Sequence, residues 1–357
     1  MSELKQILIN ISEEKNTKIL PENLKAGVEA FGVQGNFTAD ATATSADIAK
    51  DKTAYVNGEK IIGELESLGG DGELEASFLS LVDNTLGANT TKLPSNITTI
   101  GTRAFANKTN LGLKELPDNV ATIGDYAFAA CTNLSLTKLS SKLTSIGTYA
   151  FQNCTRWGLK ELPDSVATIG DYAFSGCQKI TLTKTPNQLT SIPNYCFQSC
   201  GSIKTMEFNN NITSIGSASF YGCTGLTSIN LPVNLTAIGG AAFNNCNNLV
   251  LTEIPEGVTA LNSQVFAYCS AIQELTCKGD IKTIAAQAFV TCSSLSKLVF
   301  PNVTAVPTLS NKNAFTSSGI EKGTGYIYVP DGLVDSFKSA SNWSTYANQI
   351  KGVSELV

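Results

Sequence analysis

Residues 113–128 read LKELPDNVATIGDYAF and residues 159–174 read LKELPDSVATIGDYAF, a single change in sixteen positions, 46 residues apart. Outward from this duplicated sentence the period halves. Phenylalanine falls at Phe105, Phe128, Phe151, Phe174, Phe197, Phe220, Phe243, Phe266 and Phe289, nine times at a spacing of 23. Five residues before each stands Ile100, Ile123, Ile146, Ile169, Ile192, Ile215, Ile238, Leu261 or Ile284. Six residues after each comes Leu111, Leu134, Trp157, Ile180, Ile203, Leu226, Leu249, Ile272 or Leu295. Gly usually follows the Ile, and Pro often lies twelve residues past the Phe, as at Pro117, Pro163 and Pro232.

A period in the low twenties with apolar residues at fixed offsets is the signature of a leucine-rich solenoid. The expected fold is mainly β with short turns and helices, built from nine 23-residue coils. Each coil is expected to lay down two short strands, one of the LTSINLP type (Leu226 to Pro232) and one of the LTAIG type (Leu235 to Gly239). Between them GTYAFQNC (Gly147 to Cys154) makes a compact turn whose Phe points inward. No single coil can bury its Ile, Phe and Leu alone, so stacking is obligatory. At ~4.8 Å per strand, nine coils make a rod of roughly 43 Å.

The same register explains the cysteines. Cys131, Cys154, Cys177, Cys200, Cys223, Cys246, Cys269 and Cys292 each lie three residues past a Phe, and Lys108 takes that place in the first coil. Cys196 fills a slot held elsewhere by Ala127, Ala150 and Ala173, and Cys277 lies in a strand. Zinc sites want paired CxxC or His ligands, and parallel side-chain vectors suit a disulfide badly. A ladder of small buried thiols is the expectation. Charge explains why two coils form the duplicated unit. Glu115, Lys138, Glu161, Lys184 and Glu207 share one position in successive coils. Identical coils would stack like charges one strand apart, and alternation turns that repulsion into attraction.

Composition excludes several classes. The chain of 357 residues is 42% hydrophobic, carries a net charge of −5 and contains no histidine. Mild acidity argues against nucleic acid, and no apolar run reaches the ~20 residues of a membrane span. The absence of histidine removes the commonest general base and the triads that depend on it. The start, MSELKQILINISEEKNTKIL, does not read as a secretory signal.

The pattern L-x-x-I-x-L-P-x-x-[VL]-T-x-I-G-x-x-A-F-x-x-C-x-x-L over residues 93–300 resembles the BspA-like leucine-rich repeats of bacterial surface and secreted proteins. The C-terminal stretch GYIYVPDGLVDSFKSASNWSTYANQIKGV also looks like that family's cap, a strand ending at Pro330 and then a helix that brings Phe337, Trp343 and Tyr346 over the open core. The resemblance implies adhesion and binding rather than catalysis. Before the repeats, ENLKAGVEAFGVQGNF (Glu22 to Phe37) and ADIAKDKTAYVNGEKIIGEL (Ala46 to Leu65) are similar phrases, and Asn57-Gly58 between TAYV and EKII signals a hairpin. This segment resembles modules of tail-fibre and tail-associated proteins of phages and prophages. Residues 1–65 therefore form an expected attachment module, 66–76 a flexible joint, 77–306 the solenoid with an opening cap at SFLSLVDNTL, and 307–357 the C-terminal cap.

Chemistry-bearing constellations are sparse. Asp125 and Asp171 recur with the repeat beside turns, where solvated turn residues and N-caps account for them better than acid/base work. GGDGE (Gly69 to Glu73) lacks the strand, helix and Lys of a phosphate loop. Asn107 and Asn153 fit glycosylation spacing, which Asn-rich repeats generate freely. One stripe carries weight: Tyr126, Tyr149, Tyr172 and Tyr195 stand two residues before the Phe in successive coils. It reads either as a rigid contact surface for protein or sugar or as simple stacking between coils. No catalytic residue, metal ligand or cofactor is expected. The leading expectation is a phage or prophage tail-associated virion protein, docked to other tail proteins through residues 1–65 and recognising a bacterial surface protein or glycan through the solenoid. A homotrimer of the small module is one way to bury its apolar strands. The alternative expectation is a bacterial cell-surface adhesin that binds host or matrix proteins.

Overall fold

The computed structural model describes Leu93 and residues 97–356 in full, and before them the backbone of five short strands. Two antiparallel pairs stand among these strands: Glu29–Ala30 with Val33–Gln34, and Thr53–Val56 with Glu59–Ile62. In the second, Val56 lies opposite Glu59, so the strands flank the Asn57-Gly58 pair that the sequence marks as a hairpin. The remainder of 1–65, the joint apart from Glu73–Leu74, and the opening cap at residues 77–86 lie outside the described residues.

Glu73–Leu74 and the described residues from 97 onward form a β-solenoid. Glu73–Leu74 pairs in parallel with Thr99–Ile100, which pairs with Thr122–Ile123, and so on through Ser145–Ile146 and Thr168–Ile169. The ladder resumes from Ser191–Ile192 to Ala237–Ile238 and from Ala260–Leu261 to Thr308–Leu309. Each rung from Thr99–Ile100 on exposes its first residue more than its second, as period-two alternation in a half-buried strand requires. The last step, from Thr283 to Thr308, is longer than 23 residues. The extra chain adds a coil that the even spacing of Phe hides: Phe315 stacks on Phe289 at 5.6 Å.

The second strand of each coil departs from expectation. It forms properly at Thr205–Glu207, Ser228–Asn230, Glu274–Cys277 and Lys297–Val299. In the coils of Phe105 to Phe174 it shrinks to isolated bridges, Glu115 with Lys138 and Lys184 with Glu207. Side-chain spacing is the cause. Where Leu226 and Ile229 precede Leu231, the last two inward residues sit two apart and a strand can alternate. Where Leu111, Leu113 and Leu116 are buried, the last step is three residues, which an alternating strand cannot span; the Phe243 coil, with the same spacing in Leu249, Leu251 and Ile254, keeps only the two-residue strand Glu253–Ile254.

The core is one continuous column. Phe rings stack from Phe105 through Phe315 with neighbouring centroids 4.9 to 5.7 Å apart. Its far end is sealed as the cap predicts. Strand Tyr326–Val329 leads to helix Val334–Ser339, and Phe337, Trp343 and Tyr346 are buried. Trp343 lies against Phe315, its Nε1 donating to Pro307 O at 2.8 Å, while the Tyr346 hydroxyl donates to Lys312 O.

The thiol ladder has a specific use. Each Phe carbonyl accepts the backbone N–H three residues on, leaving one lone pair. The next coil's thiol donates to it: Cys131 to Phe105 at 2.9 Å, Cys154 to Phe128 at 3.1 Å, and so on to Cys292 with Phe266 at 3.0 Å. Cysteine suits the place because it packs as a small hydrophobe and still carries a weak donor. All ten cysteines are free and buried. Burial pushes the thiols of Cys131, Cys223 and Cys292 up to about 12, far from the reactive thiolate. Ser219 is fully buried, and its hydroxyl is the one buried side-chain oxygen or nitrogen without a hydrogen-bond partner among the described residues.

Glycine follows the Ile because coils approach closely there. A Cβ on Gly170 would stand 2.4 Å from Thr148 N of the preceding coil. Pro193, Asn262 and Ala285 hold the same position in other coils, so the restriction is local.

Two outcomes follow for stability. A thiol reagent should label few cysteines of the folded protein and nearly all after denaturation; rapid labelling of most of them in buffer would contradict the ladder. Gly170→Ala should cost about 1–3 kcal/mol in urea unfolding through overpacking. Gly158→Ala, whose new Cβ meets nothing within 4 Å, should change stability by less than about 1 kcal/mol, on the stabilising side.

Candidate functional site

The turn that carries Phe has an alternating backbone. In the Phe128 coil, the N–H groups of Tyr126, Phe128 and Ala130 donate to Thr148, Ala150 and Gln152 of the next coil. Those of Ala127, Ala129 and Cys131 instead turn back to Gly124, Tyr126 and Phe128. Switching partners at every residue forces left-handed conformations, φ 55° at Tyr126 and 56° at Ala130. The same strain recurs in the column of Tyr126 through all nine coils: Arg103, Tyr149, Tyr172, Tyr195, Ala218, Ala241, Gln264 and Gln287 all have positive φ. A residue with a Cβ pays about 1–2 kcal/mol there relative to ordinary helix space, and glycine would relieve it. None of the nine positions is glycine. The column keeps its side chains at a cost, and the structure shows a use for most of them.

The four tyrosines form one stack. Tyr126 and Tyr149 lie 4.7 Å apart at 14°, Tyr149 and Tyr172 4.6 Å apart at 13°, and Tyr172 and Tyr195 4.3 Å apart at 4°. All four are half-buried. At one end the Arg103 guanidinium sits 5.1 Å over the Tyr126 ring, a cation on a π face. Farther along, Gln264 Nε2 donates to Gln287 Oε1 at 2.8 Å, an amide version of the same stacking. Arg103, Gln264 and Gln287 stand two residues before Phe105, Phe266 and Phe289, in the Tyr column, and only the structure shows them as end cap and continuation.

Of the two readings of the stripe, the geometry shows the coil-to-coil stacking. The rings brace one another, each pair contributing about 0.5–1.5 kcal/mol beyond its burial. Their faces are thereby occupied, and what the ladder shows to solvent is a row of ring edges and hydroxyls. Desolvation by burial, with the neighbouring Tyr195 and Tyr149 phenols, raises the Tyr172 phenol above its ordinary value.

Other polar groups serve the stack. The Asp125 carboxylate accepts the N–H of Thr148 at 2.7 Å; Asp171 accepts the N–H of Asn194 at 2.9 Å and its Nδ2 at 3.2 Å. Asn194 passes the pattern on, accepting the N–H of Ser217 at 2.8 Å. These carboxylates cap turns one coil away and do not face each other. On the opposite ladder Glu115 and Glu207 stand beside Lys138 and Lys184, and those lysines also reach Asp118 and Asp164 at 3.9 Å. There Lys160, Glu161, Thr181, Thr183 and Lys184 line a shallow depression of about 450 Å³. Among the described residues no cluster of His, Cys, Asp and Glu has a metal-holding geometry, and no helix is long and apolar enough to cross a membrane.

A family model of the BspA type leucine-rich repeat region, in six copies, matches residues 82–204 and 190–321. This is well over half of the 357 residues, and the chain belongs to that family. It is similar to a leucine-rich cell surface protein of Faecalibacterium prausnitzii, 22% identical over 72% of this chain and 83% of that one, with a TM-score of 0.45. A leucine-rich repeat protein of Bacteroides ovatus is 23% identical over 84% and 90% of the two chains, with a TM-score of 0.42. A leucine-rich repeat protein of T. pallidum is 23% identical over 58% and 72%, with a TM-score of 0.33. The family assignment rests on the repeat match and not on these superpositions. No curated protein matches significantly. Nothing in these similarities supports a tail-fibre module, a phage tail or a virion location.

The raised Tyr172 phenol has a consequence with a definite sign. A group whose acid is weaker in the folded state gives stability that is whole below its unfolded value, here about 10, and lost as pH rises through the folded one. Alkaline unfolding curves should show this loss, and Tyr172→Phe should flatten it; an unchanged alkaline slope in the variant counts against the assignment.

Proposed function

We propose that the protein is a non-catalytic adhesin of a bacterial cell surface, whose contact face is the Tyr126–Tyr195 ladder. Membership of the BspA-type family favours surface binding over the virion role expected from residues 1–65. The observation that carries the reading is the ladder itself. Four half-exposed tyrosines are held in register at strained backbone positions by their neighbours. Such a surface loses little conformational entropy when a partner arrives, and tyrosine offers both apolar edge and hydroxyl to it. The partner is a component of host cells or their matrix. The carboxylates that could have served acid/base chemistry are committed to backbone N–H groups.

The test compares two destabilised proteins. Tyr126, Tyr149, Tyr172 and Tyr195 changed together to Ser should lose at least about tenfold in binding to epithelial cells and immobilised matrix, equivalent to about 1.4 kcal/mol. Leu275→Ala, destabilised by a core cavity behind strand Glu274–Cys277 of the opposite ladder, should bind as the parent does. Equal loss in both variants, or no binding by the parent, overturns the reading.

A further inference from the structure

The tyrosine ladder is also what an oxidant meets first. The chain has no histidine. All ten cysteines are buried, and Met206, Trp157 and Trp343 are each 2% exposed or less. Susceptibility to oxidation follows exposure, so among the described residues the oxidisable side chains that reach solvent are tyrosines. Tyr221 and Tyr268 are exposed, but among the described residues no other ring is stacked on either. Tyr326 lies under the Lys351 ammonium, and its neighbouring ring, the buried Tyr328, is 6.4 Å away at 57°. Only in the ladder do phenols with their edges in solvent lie face to face.

That arrangement has a chemistry of its own. A phenol that loses one electron and its hydroxyl proton becomes a neutral phenoxyl radical. Its unpaired spin is shared between the oxygen and the ring carbons ortho and para to it. The para carbon already carries Cβ, which leaves the ortho carbons free to react. Two such radicals pair their electrons in a bond between ortho carbons. The hydrogen on each of those carbons then moves to its oxygen, and two phenols are restored. Two electrons and two protons leave in all, and one hydrogen peroxide takes them up to form two waters. An isolated tyrosine must wait for a second chain, whereas a ladder tyrosine has its partner 4.3 to 4.7 Å away. Each ring has only to turn about its Cβ–Cγ bond and tilt toward the other.

Charge and distance choose among the pairs. Asp125 precedes Tyr126, and its carboxylate accepts the N–H of Thr148, the residue before Tyr149. Asp171 precedes Tyr172, and its carboxylate accepts the N–H of Asn194, the residue before Tyr195. A negative charge beside a ring favours loss of an electron, and a positive one opposes it. The Arg103 guanidinium over Tyr126 therefore offsets the carboxylate of the first pair. Tyr172 and Tyr195 have the carboxylate without the cation, and they are the closest and most nearly parallel of the three pairs, at 4.3 Å and 4°.

We infer that the ladder is a site of oxidative cross-linking, where a haem peroxidase and hydrogen peroxide join Tyr172 to Tyr195 through their ortho carbons. The bond ties two successive coils that otherwise hold together by packing and hydrogen bonds. A cross-link removes freedom from the unfolded chain, so the tied solenoid is the more stable one. The reaction needs no partner on the ladder and goes beyond the adhesion reading.

The experiment treats the full chain with hydrogen peroxide and a haem peroxidase, at a dilution where chains rarely meet, and then separates monomer from oligomers. The monomer should gain dityrosine fluorescence, lose the mass of two hydrogen atoms and yield a cross-linked peptide joining Tyr172 to Tyr195. Its Tm should rise. Tyr149→Phe combined with Tyr172→Phe keeps four stacked rings but leaves no tyrosines on adjacent coils of the ladder, and it should abolish the monomer fluorescence. Tyr221→Phe combined with Tyr268→Phe should leave that fluorescence intact. Cross-links confined to oligomers, an intrachain bond outside the ladder, or fluorescence that persists in the first double variant overturns the site. A bond mapped to Tyr126 and Tyr149 overturns the choice of pair, and an unchanged Tm in the cross-linked monomer overturns the tie. Cell binding is not read in any of these measurements, so the adhesion reading stands or falls by its own test.

Discussion

Phe128 lies 4.9 Å from Phe105 and 5.1 Å from Phe151, and nothing inside its own coil could cover either of its faces. The contact of each coil with the next is the constraint on which everything else depends. A 23-residue loop has too little interior to bury Ile123, Phe128 and Leu134 by itself. Burial, the N–H groups of the turn and the second lone pair of the Phe carbonyl are all completed by the neighbour. Where neighbours end, a different chemistry must stand in, and Phe337, Trp343 and Tyr346 do so at the C-terminal end.

This dependence decides what the sequence could reveal. Residues that answer to the neighbouring coil repeat at the coil period, so Phe, Ile, Cys and Gly were legible at once, and so was the aromatic cap. The coil of Phe315 was not, because added residues after Thr283 move it off the spacing of 23 that counts the others. Nor was the loss of the second strand in the early coils. It turns on a one-residue difference, Leu113 where Ile229's register would place Lys114, and a consensus averages over that. The use of the thiols is a matter of direction: spacing gives a column of cysteines, and only coordinates show them pointing at Phe carbonyls.

The candidate site was legible as a column and illegible as a surface. Four tyrosines at one register could be read directly, but whether their faces or their edges are available depends on ring orientation. At 4.3 to 4.7 Å and 4 to 14° they cover one another, which moves attention from the middle of the ladder to its ends. The left-handed φ of that column also has no sequence signal, since no glycine marks it. The strain is tolerated because hydrogen bonds to the next coil over-determine the turn.

The hydrogen bonds of the rungs run along the stack rather than across it, which gives the molecule a particular response to tension. Pulled from its ends, such a stack does not load all its rungs together. The outermost coil carries the force first, lets go, and passes the load to the next. Each release frees 23 residues, about 70 Å of slack beyond the coil's own place in the stack. A tether built this way lengthens in steps under shear, and the remaining coils stay folded while it does so.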